Sequence, residues 1–203
     1  MNFKNSIKKI ITLGVALFLT NYSYSQVCLS NVGLSTGKAT ATDVTNGLFN
    51  TDANIDIATA NGTNNTVSVF FSNGDGSFSL PLTLTPDINF VRPVAITSGD
   101  FNKDGRLDLA TANNGSGNVT LFISNGKGGF LTPVSIAVDK ALTDIVAGDF
   151  DLNGNIDIAV TSAGGNAPLY LLLNKGGASF TVNAFGGGGS LARALTTNDF
   201  DQD

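Results

Sequence analysis

The feature that most constrains this chain is a phrase that returns four times at a nearly constant period. It reads GLFNTDANIDIA from Gly47, GDFNKDGRLDLA from Gly99, GDFDLNGNIDIA from Gly148 and NDFDQD from Asn198. Its phenylalanine falls at Phe49, Phe101, Phe150 and Phe200, spacings of 52, 49 and 50 residues. A second phrase keeps the same beat, as SNGDGSF at residues 72–78, SNGKGGF at 124–130 and NKGGASF at 174–180. Between the two lie short runs such as LDLATA, NVTLFIS and IDIAVT, which alternate apolar with polar and favour β-branched residues. That alternation is the period of a half-buried strand, and Asn-Gly between two such runs signals a hairpin.

A period near 50 with four short apolar segments per unit predicts an all-β fold, a β-propeller of four-stranded antiparallel blades. First strands are expected near residues 41–49, 93–101, 142–150 and 191–200. The repeat units are then about 41–90, 93–139, 142–190 and a truncated 191–203. This is about 3.5 blades, whereas propellers close with about 4 to 8. The chain therefore reads as a fragment of a larger propeller, self-association into a ring being the other way to cover open sheet edges. Phe49, Phe101, Phe150, Phe78, Phe130 and Phe180 are expected to be largely buried, because they travel with the repeat.

The acidic residues locate the chemistry. All 16 are Asp, and most of them fall inside the repeated phrases. Counting from Asp100, side-chain oxygens stand at positions 1, 3, 5 and 9 as Asp100, Asn102, Asp104 and Asp108. Gly105 holds position 6, and Arg106 offers a backbone carbonyl at position 7. The third copy repeats this with Asp149, Asp151, Asn153, Gly154, the Asn155 carbonyl and Asp157. Hard oxygen donors at alternate positions, with glycine at the sharp turn, are what Ca²⁺ requires.

Plain Asx-rich turns would use the same residue types for conformational reasons. They would not gather three carboxylates, since each pair at about 5 Å and an effective dielectric of about 20 repels by roughly 3 kcal/mol. An EF-hand is excluded as well, because position 12 is Thr111 or Val160 instead of Glu and each loop runs into a strand. The first copy has Leu48 at position 1 and Ala53 at position 6, leaving Asn50, Asp52 and Asp56 as donors. The fourth offers Asp199, Asp201 and Asp203 and stops before its glycine.

At this point the chain resembles the FG-GAP/VCBS repeat family, relatives of the integrin α-subunit propeller. GDFNKDGRLDLA with NVTLFISNGKGGF, and GDFDLNGNIDIAV with LYLLLNKGGASF, carry the resemblance. It implies a seven-bladed propeller, with the acidic loop joining the first two strands of each blade and holding Ca²⁺. It also implies a role in adhesion, with an extracellular glycan or protein as partner.

Composition narrows the function further. The chain has no His and no Glu, so Ser-His-Asp and Cys-His catalysis are excluded and the reading is a non-catalytic module. The alternative is the propeller portion of a longer secreted hydrolase or lyase whose catalytic residues lie elsewhere. GLSTGK at residues 33–38 is one residue short of a phosphate-binding loop, and Ala39 replaces its Ser or Thr.

Lys4, Lys8 and Lys9 precede an apolar stretch at residues 10–20, with Ser23 and Ser25 before an expected cut ahead of Gln26. Residues 1–25 thus read as a secretory signal and 26–203 as the exported propeller. That apolar stretch is too short to be a transmembrane segment. A net charge of −5, more negative once those lysines are removed, disfavours nucleic acid as a partner. One cysteine, Cys28, permits no internal disulfide, so bound Ca²⁺ is the expected staple.

Overall fold

The computed structural model describes residues 40–86, 89–164, 168–186 and 192–197. The expected signal segment, Cys28 and the fourth-copy residues Asp199, Asp201 and Asp203 lie outside the described residues. Among the described residues the chain is all-β, with twelve strands and no helix. The first blade contains β1 (Ala41–Gly47), β2 (Asp56–Asn61), β3 (Thr66–Phe70) and β4 (Leu82–Leu84). The second contains β5 (Pro93–Gly99), β6 (Asp108–Asn113), β7 (Asn118–Phe122) and β8 (Val134–Ala137). The third contains β9 (Leu142–Gly148), β10 (Asp157–Ser162), β11 (Leu169–Asn174) and β12 (Phe180–Phe185). Each is a four-stranded sheet in chain order, antiparallel throughout. The acidic phrase joins the first and second strands of every blade, and the glycine phrase joins the third and fourth.

The cores lie between blades. Phe49, Ala58, Ala60, Val67 and Val69 of the first blade share one buried cluster with Ile96, Leu109 and Phe122 of the second. Ala95, Phe101, Ala110, Ala112, Val119 and Leu121 of the second blade share another with Leu142, Ile145, Ile158 and Leu172 of the third. Neighbours in sequence thus point to opposite cores, Leu109 to one side and Ala110 to the other, as the two-residue period of a strand demands. β6 and β7 are consequently buried at every position, because both faces of the middle blade are covered. The small alanines on these faces let adjacent sheets approach closely.

One expectation needs correction. Phe49 and Phe101 are fully buried and Phe78, Phe130 and Phe180 are partly buried, but Phe150 is 37% exposed. The reason is positional: Phe49 packs against Phe130 and Phe101 against Phe180, each on the following blade. Phe150 has no described blade beyond it. The fourth strands also start differently, with Phe180 opening β12 while Phe78 and Phe130 make isolated bridges and β4 and β8 begin later. Pro81 and Pro133 stand just before those later starts. Proline brings no N–H to the ladder, so pairing restarts beyond it.

Candidate metal centre

Each acidic loop hangs from its ninth residue. Asp56, Asp108 and Asp157 are fully buried. One carboxylate oxygen of each accepts the N–H at loop position 2, from Phe49 at 3.0 Å, Phe101 at 3.1 Å and Phe150 at 2.9 Å. The other accepts the N–H that opens the glycine phrase, from Ser72 at 2.9 Å, Ser124 at 2.8 Å and Asn174 at 2.7 Å. This explains why the two phrases keep the same beat, since one side chain ties them together. Burial pushes Asp56 and Asp108 above the ordinary carboxylate range, Asp108 to about 6, against the lowering effect of those N–H donors. Asp104 and Asp100 add like-charge repulsion to Asp108.

The second and third loops share a backbone. Position 4 has positive φ at Lys103 (63°) and Leu152 (55°), as does position 6 at Gly105 (84°) and Gly154 (80°). Position 1 closes the turn from inside. Asp100 accepts the N–H of Asp104 at 3.0 Å and of Gly105 at 2.7 Å. Asp149 does the same for Asn153 at 3.1 Å and Gly154 at 2.8 Å. In the first loop no residue has positive φ, Ala53 occupies the glycine position, and half-exposed Leu48 has no oxygen to offer. Asn50 and Asp52 cap one another's turn instead, and Asp56 remains the buried tie.

Side chains separate the two intact loops. Asp149, Asp151 and Asp157 present carboxylate oxygens within 4.8 Å of one another, and among the described residues no other such trio forms. Lys175 lies 3.6 Å from Asp151 at the rim. Asn153 is braced, its Nδ2 donating to the Asn174 carbonyl at 3.1 Å and its Oδ1 accepting the Asn155 N–H at 2.7 Å.

In the second loop Asp104 turns to Arg106, whose Nη1 donates at 3.2 Å, and accepts from Asn102 Nδ2 at 3.0 Å. Burial would raise its carboxyl, but these donors and the guanidinium charge hold it below the usual range. Asp100, Asp104 and Asp108 therefore do not converge as a trio. Gly126 makes this possible, since a Cβ there would clash with the Arg106 guanidinium.

Sequence reasoning assigned Arg106 and Asn155 as backbone-carbonyl donors and overlooked what the Arg106 guanidinium does. It also overlooked Asn174, whose Nδ2 donates to the carbonyls of Phe101 at 2.8 Å and Ile156 at 3.0 Å, locking the second loop to the third. The signal for Asn174 was its place at the head of the repeated glycine phrase.

The donor set suits a hard cation: three carboxylates and an amide oxygen on a rigid turn, with no sulfur or imidazole among the described residues. The description "FG-GAP-like repeat" matches residues 49–111 and 100–160, two overlapping copies that each run from one acidic loop into the next unit. The chain belongs to the FG-GAP-like repeat family.

Among solved structures, this FG-GAP-like repeat chain is similar to an Agrocybe aegerita lectin described as recognising non-reducing terminal N-acetylglucosamine. The two are 21% identical with a TM-score of 0.46, over 66% of this chain and 36% of the lectin. It is also similar to part of the Photorhabdus luminescens Tc holotoxin pore, at 17% identity and a TM-score of 0.36, over 65% of this chain and 6% of that one. The FG-GAP-like chain thus spans well under half of either structure. No curated protein matches it.

Proposed function

We propose that this FG-GAP-like repeat chain is a secreted, non-catalytic binding module whose blades are stiffened by Ca²⁺. The observation that carries the reading is the convergence of Asp149, Asp151 and Asp157 within 4.8 Å on a turn braced by two strands. Ionised carboxylates that close store repulsion that a divalent cation would relieve. Asp149, Asp151, Asn153 and Asp157, with the Asn155 carbonyl, would hold one ion. Asp100, Asn102, Asp104 and Asp108, with the Arg106 carbonyl, would hold a second once Arg106 yields Asp104. Export rests on the basic and apolar start of the sequence. With neither His nor Glu in the chain, the loops are read as a surface for a glycan or protein partner and not as a reaction centre.

Three carboxylates per loop set the affinity at about 10⁻⁴ to 10⁻³ M, the range of extracellular modules. The test is calorimetric titration of Ca²⁺ into the metal-stripped full chain, with melts in Ca²⁺, Mg²⁺ and chelator. Heat of binding with a rise in Tm specific to Ca²⁺ is expected. No heat and no shift would reduce the loops to ordinary turns.

A further inference from the structure

The glycine phrase of each blade opens on Ser72, Ser124 or Asn174. In all three blades this residue gives its backbone N–H to the ninth residue of its own acidic loop. In all three its side-chain oxygen accepts the N–H two residues on, from Gly74 at 3.3 Å, Gly126 at 3.1 Å and Gly176 at 3.0 Å. Asparagine does the same work as serine and has an amide donor left over.

That donor crosses to the neighbouring blade. Asn174 Nδ2 reaches the Phe101 carbonyl at 2.8 Å and the Ile156 carbonyl at 3.0 Å, from a side chain that is 1% exposed. Phe101 lies between Asp100 and Asn102, two oxygen donors of the second loop, and its own N–H is held by Asp108, a third. On the other side, the Asn174 N–H goes to Asp157 at 2.7 Å and the Asn174 carbonyl receives Asn153 Nδ2 at 3.1 Å. Two donors of the third loop therefore hang from its backbone. The Ala178 N–H, also on the Phe101 carbonyl at 3.1 Å, ties the second loop to the hairpin but to no donor of the third. Among the described residues the Ser124 hydroxyl makes no corresponding bond to the first loop.

We infer that Asn174 couples the second and third loops, so that a cation held by either one tightens the other. The coupling bears on metal only through the Ca²⁺ sites proposed above, whereas its mechanics rest on these hydrogen bonds. Asp157 and Asn153, once closed on an ion, immobilise the Asn174 backbone. Its short, buried amide then fixes the Phe101 peptide, with Asp100 and Asn102 on either side. The second loop to load finds its donors already ordered, and by linkage the effect is reciprocal. Lys103 also reaches across, to Gly154, but it is exposed and its charge is screened.

The test is a double-mutant cycle on the full chain, titrated calorimetrically with Ca²⁺: parent, Asp149→Ala, Asn174→Ser and the two together. Asn174→Ser installs the residue that the other two blades use, so it keeps the backbone bonds and the acceptor for the glycine N–H and removes only the crossing donor. Loss of the third site through Asp149→Ala should weaken the second loop's step about fivefold. Asn174→Ser should weaken that step by the same factor, and Asp149→Ala should then change it no further. A plain loss of nearby negative charge would act equally in both backgrounds, and that result overturns the inference. So does a second-loop step that Asp149→Ala leaves unchanged or tightens, the latter being the sign of two ions repelling through space. Should Asn174→Ser fail to fold, parent and Asp149→Ala are compared in about 1 M salt, where charges are screened beyond about 3 Å. A difference that persists supports the coupling, and one that vanishes overturns it.

If the parent takes up no Ca²⁺, the metal reading falls and the coupling is decided in chelator with the same four chains. Amide exchange at Asp104 and Gly105, whose N–H groups close the second loop on Asp100, should quicken about threefold when Asp149→Ala loosens the third loop. On the Asn174→Ser background it should not respond. A response of equal size in both backgrounds, or none in either, overturns the coupling.

Discussion

The second and third acidic loops have the same length, the same left-handed positions and the same buried ninth-residue tie, yet their charges are arranged differently. In the third loop the acid at position 3 joins the trio of Asp149, Asp151 and Asp157 within 4.8 Å. In the second loop the acid at position 5, Asp104, is taken by Arg106 from the same turn at 3.2 Å. One backbone thus supports two electrostatic states. The third loop gathers its three carboxylates with Lys175 at the rim, 3.6 Å from Asp151, whereas in the second Arg106 pairs with Asp104 from within the turn. The backbone alone does not place the carboxylates; the partner of each one does.

The largest expected effect tests what the two loops share. Asp108→Ala and Asp157→Ala each orphan two backbone N–H groups, and each should cost about 2 to 4 kcal/mol in urea melts without metal. Asp151→Ala, at the exposed rim, should cost less than about 0.5 kcal/mol. Equal losses would mean that position 9 is not a structural tie.

Calcium should then separate the loops. At about ten to one hundred times Kd each occupied site adds about 1.4 to 2.7 kcal/mol. Asp149→Ala should remove the tighter step of the titration and Asp104→Ala the weaker one. Asp75→Ala, in a hairpin outside the loops, should remove neither. If Asp104→Ala abolished the tighter step, the ranking would be reversed.

A sharper version erases the difference itself. Arg106→Gln frees Asp104 and should tighten the second loop about fivefold, the worth of roughly 1 kcal/mol. An unchanged titration would show that the ion pair does not compete.

The smallest effect is on pH. The Asp108 carboxyl is raised to about 6 in the metal-free fold, chiefly by burial, above the ordinary value of 3.8 it regains on unfolding. The unfolded chain therefore releases this proton first. Stability from this group is present below pH 3.8 and declines as pH rises through about 6. Melts from pH 4 to 7 in chelator should show a shallow fall in Tm that Asp108→Asn flattens.

The local features were legible in the residues. The twofold alternation placed the strands, and Gly105 and Gly154 marked where a left-handed turn must occur. Ala53 and Leu48 marked the loop that departs from the pattern. These are nearest-neighbour matters, set by pleat geometry, Cβ sterics and the spacing of donors along one turn.

Tertiary structure alone decided anything that depended on what stands opposite. Phe49, Phe101 and Phe150 are identical in the repeat, yet two are buried and one is half-open, because burial belongs to the pair of blades and not to the residue. Asp104 and Asp151 both read as ligands, but Arg106, with room to lie over Gly126 of the facing hairpin, pairs with one, while the other joins Asp149 and Asp157 with Lys175 of its own facing hairpin at the rim. Sequence determines which groups a turn can offer, while the facing surface determines which of them stay free, since burial and charge pairing are properties of two surfaces at once.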